Sequence, residues 1–397
     1  MLRRLRSLIP TSPLPWHWHA RFYRALLAAI LVLAAVGAVV SVLVQRGSDE
    51  SPAAAPGGLE ASPDNSKALK ALKALTPEQK ADAVVAAGID PSSAERTVSK
   101  AQLGGIVIGP DDWAAGGASL VKRLRAAGGS GGRVPPLVIG LQEGGVYRAY
   151  PDLPPAETQL DIGLGGDPQA ARGWNESTAK ALKAAGFDVN LGPLADVAGP
   201  ASPIADRSFS DDPALASALV GAAVKGCKST GLACAVPHFP GLGAASDDTD
   251  VNPATVSLDP ASLGARDLAA FRAAFDAGAP ATVLSLAFYT AYDPVTPAAL
   301  SPEIATGLLR GELGFKGLAI SDDLSAGSIA AGLGAPEAAV QAISAGTDLV
   351  VVDDPVLARQ ARAAILAAAK EGTVSEQRLD EAAARVLELK KKLGLLP

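Results

Sequence analysis

Two adjacent acids, Asp322 and Asp323, close the apolar run Gly317-Leu318-Ala319-Ile320, in the segment Ser321-Asp322-Asp323-Leu324-Ser325. A carboxylate at the end of a buried strand is a candidate functional group. Neighbours on a strand point to opposite faces, so one of the two acids is expected to face the interior and the other to point away. Asp323 has a competing structural role as the cap of a following helix. A second apolar run ends at His238-Phe239-Pro240-Gly241 and opens into a loop carrying Gly243, Asp247, Asp248 and Asp250. Such a loop could close over a substrate, although a run of acids is more often a solvated surface. The third group is Asp206-Arg207-Ser208-Phe209. Its guanidinium could grip hydroxyls or a carboxylate, or pair with Asp206 or Asp211. The fourth is Gln142-Glu143-Gly144-Gly145.

Other chemistries are excluded by what the chain lacks. It has 397 residues and three histidines, of which only His238 lies beyond residue 19. A histidine-rich metal site is therefore excluded, and no metal or cofactor is expected. The two cysteines, Cys227 and Cys234, cannot make a zinc ribbon or a disulfide framework. They sit at a helix end and the next strand start, where a disulfide and a pair of buried thiols are both compatible with the spacing. The net charge of −6 argues against nucleic acid as a partner. No GxGxxG follows the first strand and no P-loop occurs, so nucleotide binding has no support.

These groups need a frame to position them. Seven short apolar runs, Gly105–Ile108, Leu137–Leu141, Phe187–Leu191, Ala233–Val236, Thr282–Leu286, Leu318–Ser321 and Leu349–Val352, alternate with helical stretches. The helices are expected at Pro77–Gly88, with Thr76 as N-cap, and at Ser119–Ala127, Pro168–Ala185, Pro213–Thr230, Ser262–Ala277, Pro302–Leu313, Pro336–Ala345, Asp354–Lys370 and Ser375–Leu393. Strands alternating with helices imply an α/β fold with a parallel sheet. Polar or glycine-rich residues follow nearly every strand, which favours a TIM-type (β/α)8 barrel over an open sheet with one switch point. No eighth strand stands out from the pattern.

The N-terminal part reads differently. Residues 1–24 are basic, and Ala25 to Val44 form an uncharged apolar stretch of 20 residues. As a helix it would span about 30 Å, the thickness of a bilayer core. Arg3, Arg4, Arg6, Arg21 and Arg24 precede it, so the positive-inside rule places the N-terminus in the cytoplasm and the rest outside. Residues 45–66 are rich in Pro, Ser, Gly and Ala and read as a linker. A cleaved signal peptide is the rival reading, but its apolar region would be about 7–15 residues, so the expectation is a single-pass cell-membrane protein: a cytoplasmic segment 1–24, a transmembrane helix 25–44 in the lipid bilayer, a disordered linker 45–66 and an extracellular barrel 67–397.

Taken together, the barrel segments resemble family 3 glycoside hydrolases, above all the single-domain β-N-acetylglucosaminidases that trim peptidoglycan fragments. The likeness runs through Leu75-Thr76-Pro77-Glu78-Gln79-Lys80, Gly104-Gly105-Ile106-Val107-Ile108, Gln142-Glu143-Gly144-Gly145, the stretch from Gly186 to Val197, Asp206-Arg207-Ser208-Phe209, His238-Phe239-Pro240-Gly241, Leu309-Arg310-Gly311-Glu312-Leu313-Gly314-Phe315 and Ser321-Asp322-Asp323-Leu324-Ser325. The resemblance implies a carbohydrate substrate, Asp322 as the nucleophile of a retaining reaction, and Arg207 and His238 as substrate-binding groups. In this subgroup the acid/base is a histidine held by an aspartate in a D-S-H triplet. Here the triplet reads Asp248-Thr249-Asp250, so Asp250 and Asp248 become the candidate acid/base groups.

Other positions also depart from the pattern. Leu141 stands for an aspartate, Val146 for an arginine, Pro237 for a lysine, and Leu242 and Leu286 for histidines. Each lost hydrogen bond to a sugar would weaken binding by about 0.5–1.5 kcal/mol. Two functions follow as expectations: a membrane-anchored retaining glycosidase acting on β-linked sugars such as cell-wall N-acetylglucosamine, or a degenerate barrel that binds glycan or protein without hydrolysis. Hydrolysis is untenable if Leu141, Val146 and Pro237 fill the barrel mouth and leave no cavity beside Asp322.

Overall fold

The computed structural model describes residues 66–330 and 332–396. The expected cytoplasmic segment, the transmembrane helix 25–44 and the linker up to residue 65 lie outside the described residues. Among the described residues, no helix is long and apolar enough to cross a membrane.

The strands are β1 (Val85–Ala87), β2 (Gly105–Val107), β3 (Leu137–Gly140), β4 (Val189–Leu191), β5 (Ala233–Phe239), β6 (Thr255–Val256), β7 (Ala281–Leu284), β8 (Phe288–Tyr289), β9 (Leu318–Asp323) and β10 (Leu349–Val352). Eight of them close a barrel in the order β1-β2-β3-β4-β5-β7-β9-β10. Every barrel pairing is parallel, as the alternating pattern implied. The short strands β6 and β8 form a separate parallel pair.

The eighth barrel strand is β1, hidden within the expected helix Pro77–Gly88. That helix stops at Ala83 after starting on a Thr76–Gln79 capping box. Val85, Ala86 and Ala87 then pair with Val350, Val351 and Val352, while Ala86 and Ala87 also pair with Gly105 and Ile106. Alanine favours helix in isolation, and here pairing on both edges overrides that preference.

Inside the barrel, alternate residues of the strands meet: Leu137 and Ile139, Val189 and Leu191, Ala233 and Ala235, Leu318 and Ile320, Leu349 and Val351. Val386 and Leu389 of the C-terminal helix Glu376–Lys392 join this cluster and cover the end where the strands begin. At the same end, buried Asp348 accepts hydrogen bonds from Arg310, Arg378 and Arg385. A second, larger cluster lies between the strands and the surrounding helices.

Helices Pro168–Ala185 and Pro213–Thr230 run as expected. Asp167 and Asp212 cap their first turns, and Gly186 and Gly231, both at positive φ, end them. The expected helix Ser262–Ala277 instead breaks at Arg266 into Pro260–Ala265 and Asp267–Ala277. The break lets Arg266 donate to the Val197 carbonyl while Asp267 accepts from the Val197 N–H, so both side chains grip the loop after β4. The cysteine alternative is resolved: Cys227 and Cys234 are joined in a disulfide that ties the helix end to the start of β5.

Candidate active site

The chemistry-bearing residues collect where the barrel strands end. Two strands are irregular there. Between Val236 and Phe239, β5 carries one more residue than its partner β7, and between Ile320 and Asp323, β9 carries one more than β10. Such bulges re-aim side chains and are common beside functional sites. Strict alternation would bury one of Pro237 and His238 and one of Asp322 and Asp323 away from the mouth. With the bulges, all four line one cavity of about 580 Å³. The expectation that only one acid faces the mouth is thus corrected.

The two acids nevertheless differ in what they can do. Both Asp323 oxygens are engaged by the Ser325 hydroxyl, and one of them also accepts from the Ser325 and Asp353 N–H groups. Asp323 closes this turn and does not cap a helix, because the next helix begins only at Gly327. Asp322 accepts one bond, from the Asp323 N–H at 3.0 Å. Its other oxygen lies 3.8 Å from His238 Nε2. Burial pushes the Asp322 carboxyl up to about 6, with His238 opposing the rise and Asp250 adding to it.

His238 is held from behind. Asp196, buried in the loop after β4, accepts from His238 Nδ1 at 2.9 Å, from the His238 N–H and from the Leu242 N–H at 2.6 Å. Burial alone would lower the imidazole pKa, but Asp196 first and Asp322 second outweigh it and lift it to about 9.

Asp250 and Asp248 line the same cavity. Their loop is a built structure. Thr249 is buried, the Ser246 N–H donates to the Thr255 carbonyl, and the Asp250 N–H donates to Asp248. The Gly327 N–H, from beyond β9, donates to the Asp250 carbonyl at 3.1 Å and docks the loop against the segment that follows Asp322 and Asp323. The Asp250 side chain keeps access to water, yet the enclosing walls raise its carboxyl, and Asp248 raises it further.

Arg207 also faces the cavity, but not in either ion pair expected from its neighbours. It forms a two-pronged pair with Glu143, at 2.8 and 2.7 Å, and its guanidinium lies over the Tyr147 ring. Asp206 instead accepts from the Tyr147 hydroxyl at 2.8 Å. Burial works against the Arg207 charge, and Glu143 more than restores it.

The structure therefore brings together all five expected site residues: Asp322, Asp250, Asp248, Arg207 and His238. Of the diverged positions, Leu141, Val146 and Pro237 line the cavity without filling it, and Val146 is 84% exposed. Leu242 and Leu286 are packed into the core. Sequence reasoning assigned no role to Asp196 and no partner to Glu143. The signal for Asp196 was present, as the one acid in the apolar run Leu191-Gly192-Pro193-Leu194-Ala195-Asp196-Val197. Among the described residues, no cluster of His, Cys, Asp and Glu side chains is arranged to hold a metal ion.

Residues 74–389 match the model of the glycosyl hydrolase family 3 N terminal domain. A β-hexosaminidase of Stenotrophomonas maltophilia is 36% identical over 244 residues, covering 58% of this chain and 71% of the relative. Among solved structures, a family 3 β-N-acetylglucosaminidase from Paenibacillus superposes with a TM-score of 0.78 at 32% identity, over 81% of this chain and 63% of that one. A β-N-acetylhexosaminidase from Beutenbergia cavernae gives 0.71 at 31% identity, over 80% of this chain and 99% of that one. By its match over residues 74–389, this chain belongs to glycosyl hydrolase family 3.

Proposed function

We propose that the protein is a retaining β-N-acetylhexosaminidase, held at the outer face of the cell membrane by residues 25–44 and acting on β-linked N-acetylglucosamine in cell-wall fragments. The observation that carries this reading is the lightly bonded Asp322 carboxylate in a 580 Å³ cavity that also holds Asp250. Pockets of about 300–1,000 Å³ suit a small ligand. The names of the relatives support the substrate class, and the apolar stretch with its basic flank supports the anchor.

In the first step, an Asp322 oxygen attacks the anomeric carbon as its bond to the leaving oxygen breaks. Protonated Asp250 gives its proton to that oxygen, and a glycosyl ester of Asp322 forms. In the second step, the Asp250 carboxylate takes a proton from water, the water oxygen bonds to the anomeric carbon, and the ester bond breaks. Asp250 suits both steps because its carboxyl is raised above the ordinary range. Asp248, hydrogen-bonded to the Asp250 N–H, both places it and raises it. Arg207, fixed by Glu143, presents its remaining N–H groups to sugar hydroxyls, and His238 lies at the cavity wall beside the nucleophile.

Turnover of an aryl N-acetyl-β-glucosaminide by the purified protein, abolished by Asp322→Ala, tests the reading. A fluorosugar trap should leave a covalent adduct on Asp322. Absence of both turnover and adduct would overturn it. The apolar lining at Leu141, Val146 and Pro237 favours a second reading, a barrel that binds glycan or protein without hydrolysis. Saturable binding without turnover would establish that alternative.

A further inference from the structure

We propose that Asp196 and His238 form a charged positioning pair for the nucleophile, in which Asp196 fixes the imidazolium and the imidazolium keeps the Asp322 carboxylate ionised and aimed at the substrate. This role rests on the reading of Asp322 as nucleophile and gives His238 a task beyond touching sugar.

The geometry is directional. Asp196 is 1% exposed, and its two oxygens are occupied by the His238 ring, the His238 N–H and the Leu242 N–H. The ring therefore donates from Nδ1 to Asp196, which leaves Nε2 toward the cavity, 3.8 Å from Asp322 Oδ2. A histidine that only bonded a hydroxyl would be served by a neutral ring. A buried carboxylate behind Nδ1 stabilises the charged ring instead.

The charges around the pair are few. Facing His238 are Asp196 and Arg207 from the loop after β4, Asp250 from the loop after β5 and Asp322 from β9. Only Arg207 opposes the imidazolium, and Glu143 neutralises Arg207. Facing Asp322 are His238, its neighbour Asp323 and Asp250 from the loop after β5. Only His238 is a cation. With the imidazole near 9 and the carboxyl near 6, the pair is imidazolium and carboxylate at neutral pH.

The test is a pH profile of kcat/KM on the full chain with a dinitrophenyl N-acetyl-β-glucosaminide, whose leaving group needs no proton. The acid limb then reports the ionisation of the nucleophile. Replacing His238 by Gln should move that limb upward by about 1–3 pH units, the effect of an opposite charge within a few ångströms. Asp196→Asn keeps an acceptor oxygen but removes the charge, and should move the limb the same way by less. A misfolded fraction would lower the rate without moving the limb. An acid limb that stays in place in both variants, with an adduct still forming on Asp322, overturns the pairing alone. No adduct on Asp322 in the unmodified protein overturns the glycosidase reading and this role with it. The imidazole also reports without turnover. The His238 ring signal, assigned by its loss in His238→Gln, should titrate near 9 by NMR and at lower pH in Asp196→Asn. Titration at the ordinary histidine value in the unmodified protein overturns the proposal.

Discussion

Gly327 bonds the Asp250 backbone and so fixes where Asp250 stands. A methyl group added to Gly327 would lie 2.2 Å from the Val251 carbonyl oxygen, 2.9 Å from the Val251 carbonyl carbon and 3.3 Å from the Asp250 carbonyl oxygen. The loop must therefore retreat by about 1 Å to restore ordinary contact, and the Gly327 N–H bond to the Asp250 carbonyl stretches with it. A misplacement of about 1 Å at a catalytic group can cost roughly 10²-fold in rate. Gly327→Ala should therefore lower kcat/KM about 10²-fold for an N-acetyl-β-glucosaminide with a poor leaving group. The loss should be much smaller for a dinitrophenyl leaving group, which needs no proton. The assay compares both substrates on the two proteins, with thermal unfolding measured alongside. Equal losses on the two substrates would mean that the displaced loop does not carry the acid. No loss on either, in a folded protein, would refute the placement of Asp250 as acid/base.

Other perturbations have equally definite outcomes. For the unmodified protein, kcat/KM should fall as pH drops through about 6, because protonated Asp322 cannot attack; a rate flat to well below that value refutes the assignment. Serine at both Cys227 and Cys234 should lower stability by about 2.5 kcal/mol, the chain-entropy value for so short a closed loop, with kcat unchanged, as read by urea unfolding with and without reductant. Asp348→Ala strands three guanidiniums around a fully buried site and should cost about 3–5 kcal/mol, measured the same way; a cost under about 1 kcal/mol would show that the arginines find other partners.

The barrel was legible because parallel strands buried on both faces read as short apolar runs with helical stretches between them. Seven of its eight strands were visible in this way. The exception, Val85–Ala87, contains two alanines and directly follows a capped helix, so local preference pointed to helix and only its two neighbouring strands decide otherwise. The break at Arg266 was hidden for a related reason. It arises from bonds to Val197, a residue 69 positions away, and nothing local in the sequence announces it. The Arg207 partner is hidden in the same way. Sequence proximity suggested Asp206 or Asp211, but the fold brings in Glu143 from the loop after β3 at 2.7 Å.

The site itself depended on residue types that sequence displays and on two bulges that it does not. Alternation along β5 and β9 would have split each neighbouring pair between cavity and core, and the extra residue in each strand puts His238 beside Asp322. That contact has a consequence for the replacement of the expected histidine by Asp250. Two carboxyls that share a cavity raise each other's affinity for a proton and leave open which one keeps it. Retention needs a definite answer, with an ionised nucleophile and a protonated acid. The imidazolium acts on both carboxyls, and its position biases the answer. It stands 3.8 Å from Asp322 and draws the proton off that carboxyl; it lowers Asp250 as well, where Asp248 pulls the other way. A carboxylate in the loop after β5 can keep the proton only if His238 favours ionised Asp322 over ionised Asp250, and the 3.8 Å approach of the ring to Asp322 works in that direction.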